Sequence, residues 1–262
     1  MPDLLVVTKD TDQFHRVNIR ENPSHYSAVA KLMGSKMISD LNESVPFVHY
    51  AINSRLHSGL LCKYGVLSLD SLIHTITTYE SFYLAGRLQK PIATLEIQDE
   101  NAFSRFQAAN ELNRKTAVAL GVLLSTSSSE SSDFKHQGIL ETIVGLSYLG
   151  DIRMGIAEAP SKIQDIVKGQ GDELEALYGV LIEELLAGPS THHTSRLISS
   201  LPAILKHDLP NERHFAVCEI KRRIRIINKR DSFLQVLKGL ALNPPADVLS
   251  YVSRKLTKRW RS

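Results

Sequence analysis

The stretch from Lys63 to Pro91 constrains this chain most. It opens Lys63-Tyr64-Gly65-Val66-Leu67-Ser68 and closes Ala85-Gly86-Arg87-Leu88-Gln89-Lys90-Pro91. Val66 and Leu67 suit a pleated surface, and Gly65 permits close backbone approach, so the opening reads as a strand with a lysine at its mouth. Ser68 or Asp70 can cap a following helix. Leu72, Ile76, Tyr79 and Tyr83 recur at helical spacing and predict one apolar face. Gly86 is expected to end that helix, and Pro91 to prevent its resumption. The unit predicted is strand, helix and a basic turn carrying Arg87 and Lys90. Lys63, Arg87 and Lys90 can then meet on one anionic ligand; spacing alone equally allows three solvated charges.

The rest of the chain reads as a small sheet followed by helices. Asp3-Leu4-Leu5-Val6-Val7 is a short strand run, and Asp3 at its edge is either a candidate Mg²⁺ ligand or a solvated acid. Pro23 and Ser24 are expected to start a helix running to about Leu41, with Val29, Leu32, Met33 and Met37 among its apolar positions. His25 and Tyr26 fall in its first turn, where outward N–H groups attract anions. A lone His there also serves as a structural hydrogen-bonding residue. Phe47–Ile52 and Gly59–Ser68 predict strands joined by a polar turn holding Arg55 and His57, and 92–97 a further short strand.

From about residue 100 the pattern is helical: 102–124, 138–149, 161–168, 172–187 and 215–242. Serine-rich 125–133 reads as a loop. His192-His193 is too isolated to argue for metal.

Charge narrows the partners. Residues 221–262 hold twelve Lys or Arg against Asp231 and Asp247, whereas the other residues hold 19 bases and 26 acids. Such a basic end faces an anion or stays solvated. After Pro244-Pro245, the tail 246–261 places Val248, Leu249, Val252, Leu256 and Trp260 on one face. Arg254, Lys255, Lys258, Arg259 and Arg261 lie around it. That is the pattern of a helix lying on an anionic membrane, or of a terminal helix docked on the protein with its charges in water. Trp260 on the apolar stripe favours lipid, and nucleic acid is the less expected partner. No apolar run approaches the roughly 20 residues needed to span a bilayer. Cys62 and Cys218 indicate neither a disulfide framework nor a zinc site.

Several stretches together resemble the mitochondrial-type phosphatidate cytidylyltransferase family. They are Asn22-Pro-Ser-His-Tyr-Ser27, Lys63-Tyr-Gly-Val66, Ala85-Gly-Arg-Leu-Gln-Lys-Pro91, Gly145-Leu-Ser-Tyr148 with Gly150-Asp-Ile-Arg-Met154, and Arg254-Lys-Leu256 to Trp260. The resemblance implies an α+β chain: a nucleotidyltransferase-like sheet with flanking helices, a helical winged-helix-like domain and a basic amphipathic C-terminal helix. Boundaries at 1–98, 99–210 and 211–262 follow from it. It implies transfer of a cytidylyl group from CTP to phosphatidate, with Mg²⁺, giving CDP-diacylglycerol and pyrophosphate at an anionic membrane surface.

By that resemblance Asp3 binds metal, and Lys63, Tyr64, Arg87, Lys90 and His25 bind the nucleotide. Lys63, Asp151 and Arg153 have catalytic roles. The expected location is the matrix face of the mitochondrial inner membrane, or the cytoplasmic face of a bacterial one. Two departures qualify the match. The family's Gly-Ser motif should precede the metal-binding carboxylate, yet only Met1 and Pro2 precede Asp3, so the sheet is expected to be incomplete at its N-terminal side. Of the family's Ser-Thr-Lys-Gly run only Lys238-Gly239 is kept. The alternatives are a catalytically incomplete homologue or fragment that binds lipid, and a winged-helix-like nucleic-acid-binding protein.

Overall fold

The structure, a computed structural model, describes residues 2–55, 59–125, 132–155, 158–186 and 193–259. His57, His192, Trp260, Arg261 and most of the serine-rich 125–133 stretch lie outside the described residues, as do the side chains of Leu256, Lys258 and Arg259. In chain order the elements are β1 (Asp3–Thr8), α1 (Thr11–Glu21), α2 (Ala28–Glu43), β2 (His49–Arg55), β3 (Leu61–Ser68), α3 (Leu69–Thr78), α4 (Phe82–Leu88), α5 (Glu100–Leu124), α6 (Ser132–Gly145), α7 (Lys162–Gly169), α8 (Gly171–Leu186), α9 (His193–Ser200), α10 (Ala203–Lys206), α11 (Arg213–Leu242) and α12 (Pro245–Arg259). Short 3-10 turns cover Pro23–His25 and Leu146–Tyr148. The fold is mixed α+β. Residues 1–72, 152–159 and 230–262 form one compact unit; 73–151 and 160–229 form the second.

The first unit is built on a three-stranded sheet in the order β1-β3-β2. β1 runs parallel to β3 with Asp3 opposite Lys63; β2 runs antiparallel with Tyr50 opposite Gly65. Ala51, Cys62, Tyr64 and Val66 pack with Leu4, Val6 and Phe14. A second cluster joins Tyr26, Ala30 and Ile38 to Leu242 near the end of α11. Ile38 is fully enclosed, and burying a side chain of that size contributes about 1.5–3 kcal/mol. Asn243 stitches the same end of the chain to β2, donating to the Tyr50 carbonyl at 3.0 Å and accepting from the Ile52 N–H at 3.0 Å.

Several expectations change here. The helix expected from Pro23 starts instead at Ala28, because Ser27 adopts an extended conformation and its hydroxyl caps the Ala30 N–H. Gly34, at φ 79°, then breaks the helical path. The break turns Ala30 and Ile38 toward the core and leaves Val29, Leu32, Met33 and Met37 exposed. The strand expected at 92–97 has no ladder partner among the described residues. β2 begins later than expected and extends to Arg55, into the segment expected to be a turn.

The second unit is helical. α5 supplies a long apolar face through Ala117, Leu120, Leu123 and Leu124, and Ile143 and Val144 of α6 are likewise buried. Gly121 is in close contact with α6: a side chain there would meet Ile143 Cγ1 at 2.9 Å.

Candidate active site

Lys63 lies within β3 rather than at its mouth. Its ammonium sits 3.5 Å from the Asp3 carboxylate, on the neighbouring parallel strand, and 4.0 Å from the centroid of the Tyr50 ring. Gly65 makes this possible. A side chain there would lie 2.8 Å from Tyr50 Cε1, so glycine lets the Tyr50 ring cross the sheet and reach Lys63. The lysine is thereby largely enclosed, with its charge held between a carboxylate and a π face.

Tyr64 ties this strand to the Asn22–Ser27 segment. Asn18 Nδ2 donates to the Tyr64 hydroxyl at 2.7 Å, which leaves the phenol proton for His25 Nδ1 at 2.9 Å. Asn18 also donates to the Tyr26 hydroxyl at 2.8 Å, and Tyr26 contacts His15 Nδ1 at 2.8 Å. Burial raises the Tyr64 phenol well above its ordinary value and holds the His25 imidazole below its own. His25 therefore acts here as a neutral hydrogen-bonding residue, located in the turn before α2 rather than in its first helical turn.

The predicted single helix from Asp70 to Tyr83 is two. α3 stops at Thr78, Tyr79 takes φ 60°, and the Ser81 hydroxyl caps a new helix at the Tyr83 N–H. Gly86 lies inside α4; the helix ends at Leu88. Glycine is required at this position for space: a Cβ would lie 2.2 Å from Ser147 Cβ. Lys90 follows the helix end. Its ammonium donates to the Gly86 carbonyl at 2.6 Å and the Ser147 hydroxyl at 3.1 Å, and sits 5.1 Å from the Tyr148 ring centroid. Burial first, then the charges of Arg87 and Lys162, bring its pKa down to about 7. The Arg87 guanidinium lies 5.3 Å from the Tyr83 ring centroid.

Residues that sequence reasoning passed over hold this turn. Gln89 is wholly buried; its Nε2 donates to the Tyr79 hydroxyl and to Asn113 Oδ1, both at 3.0 Å. Asn113 Nδ2 donates to the Ala85 carbonyl at 3.1 Å, and the Tyr178 hydroxyl to the Gln89 carbonyl at 2.6 Å. The available signal was Asn113 itself, a poor helix former in the middle of a long helix.

Asp151 belongs to the second unit and is buried; its N–H closes a turn onto the Tyr148 carbonyl at 3.2 Å. The preceding Gly150 takes φ 89°, and a side chain there would collide with the backbone of Arg225. Arg153 belongs to the first unit, where its carbonyl accepts from the Glu158 N–H at 3.0 Å. Lys238 is structural. It donates to the carbonyls of Leu41 and Ser44, at the end of α2, and burial lowers its pKa to about 8.

Among the described residues no cluster of three or more His, Cys, Asp or Glu side chains assembles. The half-exposed Asp3 carboxylate is a donor suited to Mg²⁺, which takes one or two carboxylates and completes its shell with water and phosphate oxygens. α12 exposes Leu249 and Val252, while Lys255 pairs with Glu158 of the same unit. No helix, among the described residues, is long and apolar enough to cross a membrane.

The family profile described as "Phosphatidate cytidylyltransferase, mitochondrial" matches residues 1–217. Curated relatives of the same description share this similarity. The Schizosaccharomyces pombe protein is 33% identical, the match covering 93% of this chain and 56% of that protein. The Mus musculus protein is 29% identical, covering 100% and 84%; the Saccharomyces cerevisiae protein is 32% identical, covering 72% and 47%. This chain thus spans little more than half the length of the first of these relatives. Over the greater part of its length, the chain belongs to the mitochondrial phosphatidate cytidylyltransferase family.

Proposed function

We propose that this chain transfers the cytidylyl group of CTP to phosphatidate, forming CDP-diacylglycerol and pyrophosphate at a membrane surface. The observation that carries the reading is the Asp3–Lys63 pair within a chain of this family. A carboxylate and an ammonium on adjacent parallel strands offer one group for a metal and one for phosphate oxygens. In the reaction a phosphatidate oxygen attacks the α-phosphorus of CTP in line, and the bond to the β-phosphate breaks. Lys63 neutralises charge developing on the phosphate oxygens; the family motifs supply Arg87 and Lys90 as phosphate ligands, and Asp151 and Arg153 as catalytic residues. Tyr64 and His25 fix the strand that carries Lys63. Asp3 would hold Mg²⁺ together with the nucleotide phosphates, and the metal, when bound, neutralises phosphate charge.

In this reading the sheet is nucleotidyltransferase-like, and a winged-helix-like region follows, with boundaries near residues 98 and 210. The tail 246–261 lies on anionic lipid; exposed Leu249 and Val252 support that orientation. The relatives' descriptions as mitochondrial favour a mitochondrial location on the matrix face over a bacterial one. The test is incubation with Mg-CTP and phosphatidate vesicles. Equal yields of CDP-diacylglycerol and pyrophosphate support the reading, and pyrophosphate without lipid product counts against it.

A further inference from the structure

The two faces of α12 are differently engaged. Val248, Tyr251 and Lys255 fall on one row at helical spacing and are half-buried, while Leu249 and Val252 on the next row are exposed. The half-buried row is tied down at two points, both within the first unit. At the helix start the Asp247 carbonyl accepts from Asn53 Nδ2 at 2.9 Å, and Asn243, just before the helix, donates to the Tyr50 carbonyl of the same strand. About two turns later the Lys255 ammonium pairs with the Glu158 carboxylate, 5.5 Å from the Tyr251 ring centroid. The two side chains are only 31% and 16% exposed, so salt screens the pair weakly. Glu158 in turn closes a backbone turn. Its N–H donates to the Arg153 carbonyl and its carbonyl accepts from the Gly155 N–H, both at 3.0 Å, and a bridge joins it to Met154. Lys255 therefore holds, through one side chain, the stretch that carries Arg153 of the Gly-Asp-Ile-Arg-Met motif.

We propose that Glu158 and Lys255 are positioning residues for the transfer reaction, coupling the seating of α12 on lipid to the placement of Arg153. The inference deepens the function proposed above and rests on it for the role of Arg153 and for the lipid surface. The division of faces carries it. A basic residue that serves only to attract anionic lipid acts best from the surface, whereas Lys255 is withdrawn onto a carboxylate of its own chain. Desolvation of such a pair offsets most of its Coulomb attraction, so what the pair supplies is a fixed geometry more than stability. The helix is continuous from Asp247 to Lys255. A displacement of its outer Leu249–Val252 row is thereby passed to β2 through Asn53 and to the Arg153 stretch through Glu158. Both residues act through the backbone of Arg153 and Met154 and not on the substrate.

The test uses the full chain with Mg-CTP and phosphatidate vesicles, comparing Lys255→Met, Glu158→Gln and the exchanged pair Lys255→Glu with Glu158→Lys. In either single variant kcat should fall about ten- to a hundredfold, the scale of a small misplacement of a catalytic group, while KM for Mg-CTP and flotation with the vesicles are retained. The exchanged pair should recover most of kcat, which general loosening of the fold would not allow. Hydrogen exchange gives a readout independent of turnover. Vesicles should slow exchange of the Gly155 and Glu158 amides in the unsubstituted chain and not in Lys255→Met, with the β3 amides equally protected in both. Unchanged kcat in both single variants, or exchange at the two amides indifferent to vesicles, would overturn the proposal. Flotation lost in step with activity would also overturn it, making Lys255 a lipid contact only. Absence of CDP-diacylglycerol from the unsubstituted chain would refute the proposed reaction; vesicle-dependent exchange that needs Lys255 would then still uphold the coupling of α12 to the Arg153 stretch.

Discussion

Ser147 occupies the space that a side chain on residue 86 would need. The interpenetration locks two separate sequence stretches together and leaves the Gly86 carbonyl and the Ser147 hydroxyl as joint acceptors for Lys90. Gly86→Ala must therefore push the 3-10 turn away or displace α4. A loss of about 1–3 kcal/mol in stability is expected, as for other overpacked interiors, with weaker phosphate binding. Urea unfolding and nucleotide titration of the variant check both effects.

The Gln89 network predicts a different signature. Replacing Asn113 by Leu removes the acceptor for Gln89 and the donor to the Ala85 carbonyl. Buried polar groups left without partners cost about 1–3 kcal/mol each. Thermal unfolding should report that loss, and Lys90 should become more mobile because its turn is no longer braced.

His15 and His49 predict how the first unit responds to acid. Both are enclosed, and burial depresses their pKa values to about 4 and about 3 respectively. His15 is held neutral between Tyr26 and Asn42. Between the ordinary histidine value near 6.5 and these depressed values, the unfolded chain binds more protons than the folded one. Stability is therefore present above about pH 6.5 and falls as pH drops toward 4. At pH 4.5 each histidine contributes a loss of about 2–3 kcal/mol. Urea midpoints at pH 7 and pH 4.5 should converge in His49→Phe relative to the unsubstituted chain; an unchanged gap would exclude His49 as a source.

The tail gives a fourth test. Leu249 and Val252 are exposed on α12. Replacing both with Ser should weaken flotation with anionic vesicles while leaving Mg-CTP affinity unchanged. Basic residues near the surface contribute about 1 kcal/mol each, and that attraction should fade with added salt.

What the sequence made legible was local. A short apolar run located β1, the strand preference of Val66 and Leu67 located β3, and composition located α5, α8 and α11. The Gly65, Gly86 and Gly150 positions were visible as glycines, but their reasons were not. Each is set by a residue distant in sequence: Tyr50, Ser147 and Arg225. Gly86 was expected to end a helix, whereas it sits within α4 because of the close contact with Ser147. Val29, Leu32, Met33 and Met37 were legible as apolar positions of α2, but the positive φ of Gly34 redirects the helix and leaves them exposed. Lys63 and Lys90 were legible as site candidates from their motifs. Their partners Tyr50 and Ser147 required the tertiary fold.

The central claim is transfer of the α-phosphorus of CTP to phosphatidate with Lys63 in the site, and it is tested most directly by following that atom. The chain should be incubated with Mg²⁺, phosphatidate vesicles and CTP labelled at the α-phosphate. The account predicts label in the organic-soluble lipid product, and a rate at least about a hundredfold lower in Lys63→Met, in line with loss of a group that stabilises developing charge. Label remaining wholly in the aqueous phase, or an unchanged rate in Lys63→Met, would contradict it.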